Sequence, residues 1–195
     1  MTDDVNLNRL EEQFGNPQWG ASALSRIALL KPFEERQRQE LYQLGRVLHV
    51  KPDTNIVVEG EMSRGLYFLL FGLVSVYKTD RVGGQMVRLA NLHQWDVFGE
   101  LSLIDDSPRS ATVVAAQGSY LFELSAEKFH TYLESQGSDA QVAFYRQCTW
   151  ELVRRIRALN EDYVLAQRML WEYRHQMKQQ AKHEAPQTFR REPEK

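Results

Sequence analysis

Leu66-Tyr67-Phe68-Leu69-Leu70-Phe71-Gly72-Leu73-Val74-Ser75-Val76-Tyr77 reads as two short apolar runs divided by a glycine. Runs this short, rich in β-branched and aromatic residues and bounded by turn formers, argue for strands. The same texture extends outward from Val50 to Leu124, through Asn55 to Val58, Met86 to Leu92, Ala111 to Ala116 and Tyr120 to Leu124. Regular spacing of this kind predicts an antiparallel barrel or sandwich. Between Tyr77 and Met86, Asp80-Arg-Val-Gly-Gly-Gln85 is expected to form a hairpin turn, because paired glycines accept positive φ.

The flanks read differently. All eleven glycines lie between Gly15 and Gly137. Up to Leu48 the chain reads as a helical lead-in, in which Phe33, Leu41 and Leu44 can share one helical face. From Ser138 to about Ala181 neither glycine nor proline interrupts a helical pattern. Its apolar positions advance by threes and fours through Val142, Tyr145, Thr149, Leu152, Ile156, Leu159, Tyr163, Ala166, Leu170, Tyr173 and Met177. A heptad seam this long predicts a coiled coil and hence a homodimer; a lone amphipathic helix packed back on the barrel is the other reading. The expected organisation is therefore an α+β fold with a mainly β core: a helical lead-in over 1–48, a β-roll over 49–137, a long helix over 138–183 and a disordered tail over 184–195.

The 195 residues, 43% hydrophobic and 26% charged, suffice for a core without disulfide staples. A formal charge of -2 is not that of a protein that holds nucleic acid mainly through its backbone. No apolar run approaches the roughly 20 residues that span a bilayer, and Met1 to Asn8 is acidic and polar, so a cytoplasmic location is expected. Cys148 is the sole cysteine, which leaves no intrachain disulfide or cysteine-based zinc cage and reads as a buried structural thiol.

The stretch richest in chemistry is Phe98-Gly-Glu-Leu-Ser-Leu-Ile-Asp-Asp-Ser-Pro-Arg-Ser-Ala-Thr-Val113. Gly99 allows close backbone approach, and Glu100 to Ile104 can form a single helical turn that buries Leu101, Leu103 and Ile104. Amides at the head of a helical turn attract anions, and Arg109 can bring a guanidinium to the same oxygens. Glu100 is an acceptor suited to hydroxyl donors. An acceptor beside an anion cradle suggests a phosphorylated sugar.

These residues, with Ile56-Val-Val-Glu-Gly-Glu61 and the glycine-divided runs upstream, resemble the cyclic nucleotide-binding domain family over roughly Leu29 to Asn160. The resemblance implies a β-roll in which Gly99, Leu101 and Ser102 offer backbone contacts and Glu100 accepts from the ribose 2′-hydroxyl. It implies that Arg109 pairs with the cyclic phosphate, that Ser110 adds a phosphate contact, and that Val87 and Leu89 pack the base. Gly60, Gly65 and Gly72 take architectural places. Aligning the family's paired arginines with Arg154-Arg155 puts Leu159 and Asn160 at base-reading positions. Asn160 can donate and accept there, though a solvated helix surface accounts for it as well. Ser110, where a threonine can stand, leans toward cyclic AMP over cyclic GMP. The sequence departs from the family at Trp95-Asp96, where Gly-Asp is usual, and this leaves the turn geometry open.

After the long helix there is no room for a helix-turn-helix, so specific DNA binding is not expected. From Gln141 to Lys195 eleven basic residues face seven acidic ones, which reads as a solvated helix surface. His49, His93, His130, His175 and His183 form no metal-ligand spacing, and no nucleophile elbow occurs. The expectation is a non-enzymatic sensor of a cyclic mononucleotide, cyclic AMP or cyclic GMP, without cofactor or metal, that signals through its long helix to an effector protein. The alternatives are a dimeric scaffold whose roll binds nothing and a sensor of a cyclic dinucleotide.

Overall fold

The structure is a computed structural model and describes residues 10–63, 65–105 and 107–184. Residues 10–15 are helical. They are followed by α1 (Pro17–Leu24), a 3-10 turn (Ala28–Leu30) and α2 (Glu35–Leu44). Eight strands come next: β1 (Arg46–Val50), β2 (Asn55–Val57), β3 (Gly65–Phe71), β4 (Val74–Thr79), β5 (Met86–Leu92), β6 (Val97–Phe98), β7 (Thr112–Ala115) and β8 (Ser119–Ser125). A 3-10 turn (Glu100–Leu103) separates β6 from β7, and α3 (Ala126–Ser135) and α4 (Ser138–Glu184) close the chain.

The strands form two four-stranded sheets, ordered β1-β8-β3-β6 and β2-β7-β4-β5, with antiparallel pairing throughout. This is the β-roll that the sequence predicts. Strand β3 explains why its sequence shows no polar alternation. Leu66, Phe68 and Leu70 join the core beneath the helices, while Tyr67 and Leu69 join the core between the sheets. A strand covered on both faces needs apolar side chains on both. Strand β8 does the same with Tyr120, Phe122 and Leu124 against Leu121.

Local signals fix the helix starts. Asn16 accepts from the amides of Gln18 and Trp19 ahead of Pro17, Glu34 and Gln37 form a capping box for α2, and Ser125 accepts from the Lys128 amide. The turn after β4 closes as expected: the Asp80 carboxylate accepts from the amides of Val82 and Gly83, and Gly84 sits at φ 67°.

Three details differ from the sequence reading. Strand β1 begins at Arg46, inside the expected helical lead-in, because Gly45 leaves α2 in extended backbone and Arg46 pairs with Glu123. Phe33 lies ahead of α2 instead of on it, buried 6.0 Å from the Phe144 ring and 6.4 Å from the Phe129 ring. Strand β6 has two residues, too few to leave a period.

The chain divides into two compact units, 1–149 and 150–195. The first contains both sheets and the start of α4, whose Phe144 and Cys148 are buried in its core. Within the second, Ile156, Leu159, Tyr163, Leu170, Tyr173 and Met177 are all exposed along α4. The tail expected to be disordered lies, beyond Glu184, outside the described residues. Among the described residues no helix is long and apolar enough to cross a membrane.

Candidate functional site

The chain leaves β6 at Phe98 and turns sharply at Gly99, whose φ of 82° is left-handed. A Cβ at that position would meet the Gly65 carbonyl oxygen and, at 2.6 Å, Arg109 Nη1. Gly99 is thus required twice, by its dihedral and by the close approach of β3. The 3-10 turn Glu100–Leu103 follows, and the chain returns at Arg109. There it is tied to the β2–β3 connection: the Arg109 amide donates to the Glu61 carbonyl and the Gly60 amide to the Arg109 carbonyl, each at 2.9 Å.

Arg109 is 7% exposed. Its Nε donates to Ser63 Oγ at 3.0 Å, Nη2 to the Gly65 carbonyl at 2.8 Å and Nη1 to the Gly99 carbonyl at 3.4 Å. The guanidinium also lies 5.8 Å from the centroid of the Tyr67 ring. Burial pushes its pKa below the ordinary value, and Tyr67 and the carboxylates of Glu100 and Glu61 oppose that push. Arg109 is built into the wall, with the Ser63 hydroxyl and the Gly65 and Gly99 carbonyl oxygens among its partners.

Tyr67 is itself held on both sides. Its ring stacks on Phe98 at 5.0 Å, and its hydroxyl donates to Glu123 Oε1 at 3.0 Å. Glu123 Oε2 in turn accepts from Arg46 Nε at 2.5 Å. Burial, reinforced by Glu123, pushes the Tyr67 phenol up to about 12. At the far end of the cassette, Lys78 Nζ donates to the Ser110 carbonyl at 2.5 Å and pairs with Glu59 at 2.7 Å. Glu59 also accepts from the Thr79 amide at 2.9 Å. Lys78 first and the Thr79 amide second hold the Glu59 carboxyl down at about 2.

Glu100, Arg109 and Gly99 are thus brought together, with Leu101 and Ser102 in the same turn and Ser110 beside Arg109. The expected burial of Leu101 and Ile104 is not found, and the side chain of Leu103 lies outside the described residues. Leu101 is 42% and Ile104 52% exposed, whereas Glu100 is buried, because a four-residue turn offers the core only one side and Glu100 occupies it. Val87 and Leu89 lie on β5, an edge strand paired only with β4, and both are exposed; Leu89 sits at a bulge, without a partner on β4. Asn160 is exposed on α4 in the second unit. Sequence reasoning missed Ser63, Tyr67, Glu59 and Lys78. A tyrosine inside an apolar run was the available signal, since a buried phenol needs a partner.

The departure at Trp95 is resolved. Trp95 adopts φ 78°, the left-handed conformation glycine takes freely, at an expense of order 1–3 kcal/mol. Its amide donates to the Leu69 carbonyl at 2.7 Å, and the Leu69 amide donates to the Asp96 carbonyl at 2.9 Å. The Asp96 carboxylate accepts from the His93 amide at 2.8 Å. The turn is therefore closed by its neighbours despite the side chain.

A family profile described as the cyclic nucleotide-binding domain matches residues 47–136. The Cyclic AMP receptor protein of Thermus thermophilus is 32% identical over 115 residues, 59% of this chain and 48% of its own. The cAMP-activated global transcriptional regulator CRP of Escherichia coli O6:H1 is 31% identical over 130 residues, 63% of this chain and 61% of its own. The structure of cAMP-bound PfPKA-R (141-441) superposes with a TM-score of 0.54 at 28% identity, covering 63% of this chain and 42% of that one. The chain thus spans between about two fifths and three fifths of the length of these relatives. The match takes in both sheets and the whole cassette from Gly99 to Ser110, and residues 47–136 belong to the cyclic nucleotide-binding domain family.

Proposed function

We propose that this chain is a non-catalytic sensor of a cyclic mononucleotide, cyclic AMP before cyclic GMP, and that it works as a dimer joined through α4. The observation that carries the reading is the buried guanidinium of Arg109 beside the left-handed Gly99 and the buried Glu100. Together they offer a cation for a cyclic phosphate and an acceptor for a ribose hydroxyl. The exposed faces of Val87 and Leu89 suit the base.

Ligand information has a packed route out of the cassette. Helix α3 packs against the Glu100–Leu103 turn, and its Phe129 ring meets Phe144 of α4 at 4.8 Å. A ligand that reshapes the turn shifts α3 and hence the start of α4. Any effector protein that prefers one pose of α4 is then coupled to the nucleotide, typically by 1–3 kcal/mol, and the coupling is reciprocal.

One observation favours a second reading, a dimeric scaffold whose roll binds nothing. Arg109 already has Ser63, Gly65 and Gly99 as partners, and phosphate must compete with them. Calorimetric titration of the full chain with cyclic AMP and cyclic GMP separates the two. Saturable heat with either nucleotide, lost in Arg109→Ala, supports the sensor; silence from both in a folded protein supports the scaffold.

A further inference from the structure

Within the first unit, away from the cassette, a cavity of about 230 Å³ opens between the N-terminal helices and the end of β3. Aromatic rings of Phe14, Trp19, Phe71 and Trp95 line it, together with the side chains of Arg26 and Gln94. No acidic residue is among its lining. Trp95 is the residue held left-handed where glycine would sit without strain, so its indole is kept there against a backbone penalty. Phe14 and Trp19 fix the opposite wall edge to face at 4.7 Å. Gln94 is fixed as well, its amide donating to the Leu70 carbonyl at 2.8 Å.

Arg26 supplies the charge. Its guanidinium lies 5.2 Å from the centroid of the Trp95 ring, and no carboxylate pairs with it among the described residues. A guanidinium held over an indole is planar and carries its N–H groups as a fork that matches a planar two-oxygen anion. The cavity is smaller than the roughly 300–1,000 Å³ of pockets for drug-sized ligands. It therefore suits a single ring.

From these observations we infer that the cavity is a second ligand site, specific for a small aromatic carboxylate whose ring lies among the four aromatic side chains and whose oxygens take the Arg26 fork. The inference does not depend on what the cassette binds.

Benzoate is the probe, with benzamide as its neutral counterpart, and the readout is the indole N–H resonances of the full, isotope-labelled chain. The four tryptophans provide an internal control, since Trp19 and Trp95 line the cavity while Trp150 and Trp171 are exposed on α4. Benzoate at millimolar concentration is expected to shift the Trp19 and Trp95 resonances saturably and to leave the other two in place. Arg26→Gln, a change at an exposed position, is expected to weaken that response about tenfold, and benzamide to match the weakened response. Trp95→Gly should abolish the shift at Trp19 with the fold retained. Absence of saturation, equal shifts at all four indoles, or equal binding of benzoate and benzamide to the unaltered chain overturns the inference.

Discussion

The guanidinium of Arg109 donates to the carbonyl oxygen of Gly65 at 2.8 Å, so the cassette's one buried cation is stitched to the first residue of β3. The bond joins the segment expected to meet a phosphate to the strand that is buried on both faces. A ligand that draws the guanidinium outward also loosens this stitch, while a ligand that adds to it tightens the roll.

Arg109→Ala is expected to lose nucleotide binding and also to destabilise the roll by about 1–3 kcal/mol, since it strips hydrogen bonds from buried carbonyls. Arg109→Lys should recover part of the stability but little of the binding, because an ammonium cannot reproduce the planar fork. Paired calorimetric titration and urea unfolding check both statements. Undiminished nucleotide affinity in Arg109→Ala rules out the assigned role.

Gly99→Ala is the sharper test of geometry. The added Cβ meets the Gly65 backbone oxygen, which cannot rotate away, and the left-handed dihedral adds about 1–2 kcal/mol of its own. The cassette must shift relative to β3, and the expected result is weakened nucleotide binding together with a lower unfolding midpoint. A variant with unchanged midpoint and affinity means that the close approach of Gly99 and Gly65 does not persist in solution.

Much of this was legible in the sequence because apolar runs separated by turn formers carry a short-range signature. The hairpin at Asp80 to Gln85, the strand at Met86 to Leu92 and the unbroken helix from Ser138 all follow from local composition. The cassette was legible as a motif. What the sequence hides is long-range: Tyr67 reaches Arg109 because the two sheets close on each other, Ser63 reaches it from the β2–β3 connection, and Lys78 reaches Ser110 because β4 pairs with β7. Burial of Glu100 in place of Leu101 likewise reflects which side of a short turn faces inward, and no periodicity encodes that over four residues.

Trp95 permits a test in which the usual order of substitutions reverses. Trp95→Ala removes the indole's packing and keeps the left-handed penalty; Trp95→Gly removes both. The glycine variant should therefore be more stable than the alanine variant by about 1 kcal/mol. Urea denaturation of the two proteins decides the matter, and an alanine variant as stable as the glycine one contradicts a left-handed backbone at this position.

The Glu59 carboxyl is held at about 2 by Lys78 and the Thr79 amide, below its ordinary 4.5. A carboxyl whose folded pKa is depressed contributes stability that is present above the unfolded value and lost as pH falls toward the folded one. The stability difference between the unaltered protein and Glu59→Gln should hold steady above pH 4.5 and close between there and about pH 2. Lys78→Met should raise the lower edge of that window and shrink the difference, the upper edge being set by the unfolded chain. Unfolding midpoints measured across this range test the link, and a difference independent of pH refutes it.

The dimer proposed for α4 makes the last prediction. Leu159 is 66% and Leu170 43% exposed in the single chain, and both fall on the heptad seam with Tyr163 between them. Burying each leucine against a second copy is worth about 1.5–3 kcal/mol, and each contributes twice in a symmetric pair. Leu159→Asp with Leu170→Asp exchanges that gain for carboxylates in an apolar seam, where neither finds a partner. Sedimentation equilibrium should report a dimer for the unaltered chain at micromolar concentration and a monomer for the double variant. The roll lies in the other unit and should retain its unfolding transition. An unaltered chain that sediments as a monomer, or a double variant that remains a dimer, removes the seam as the basis of association.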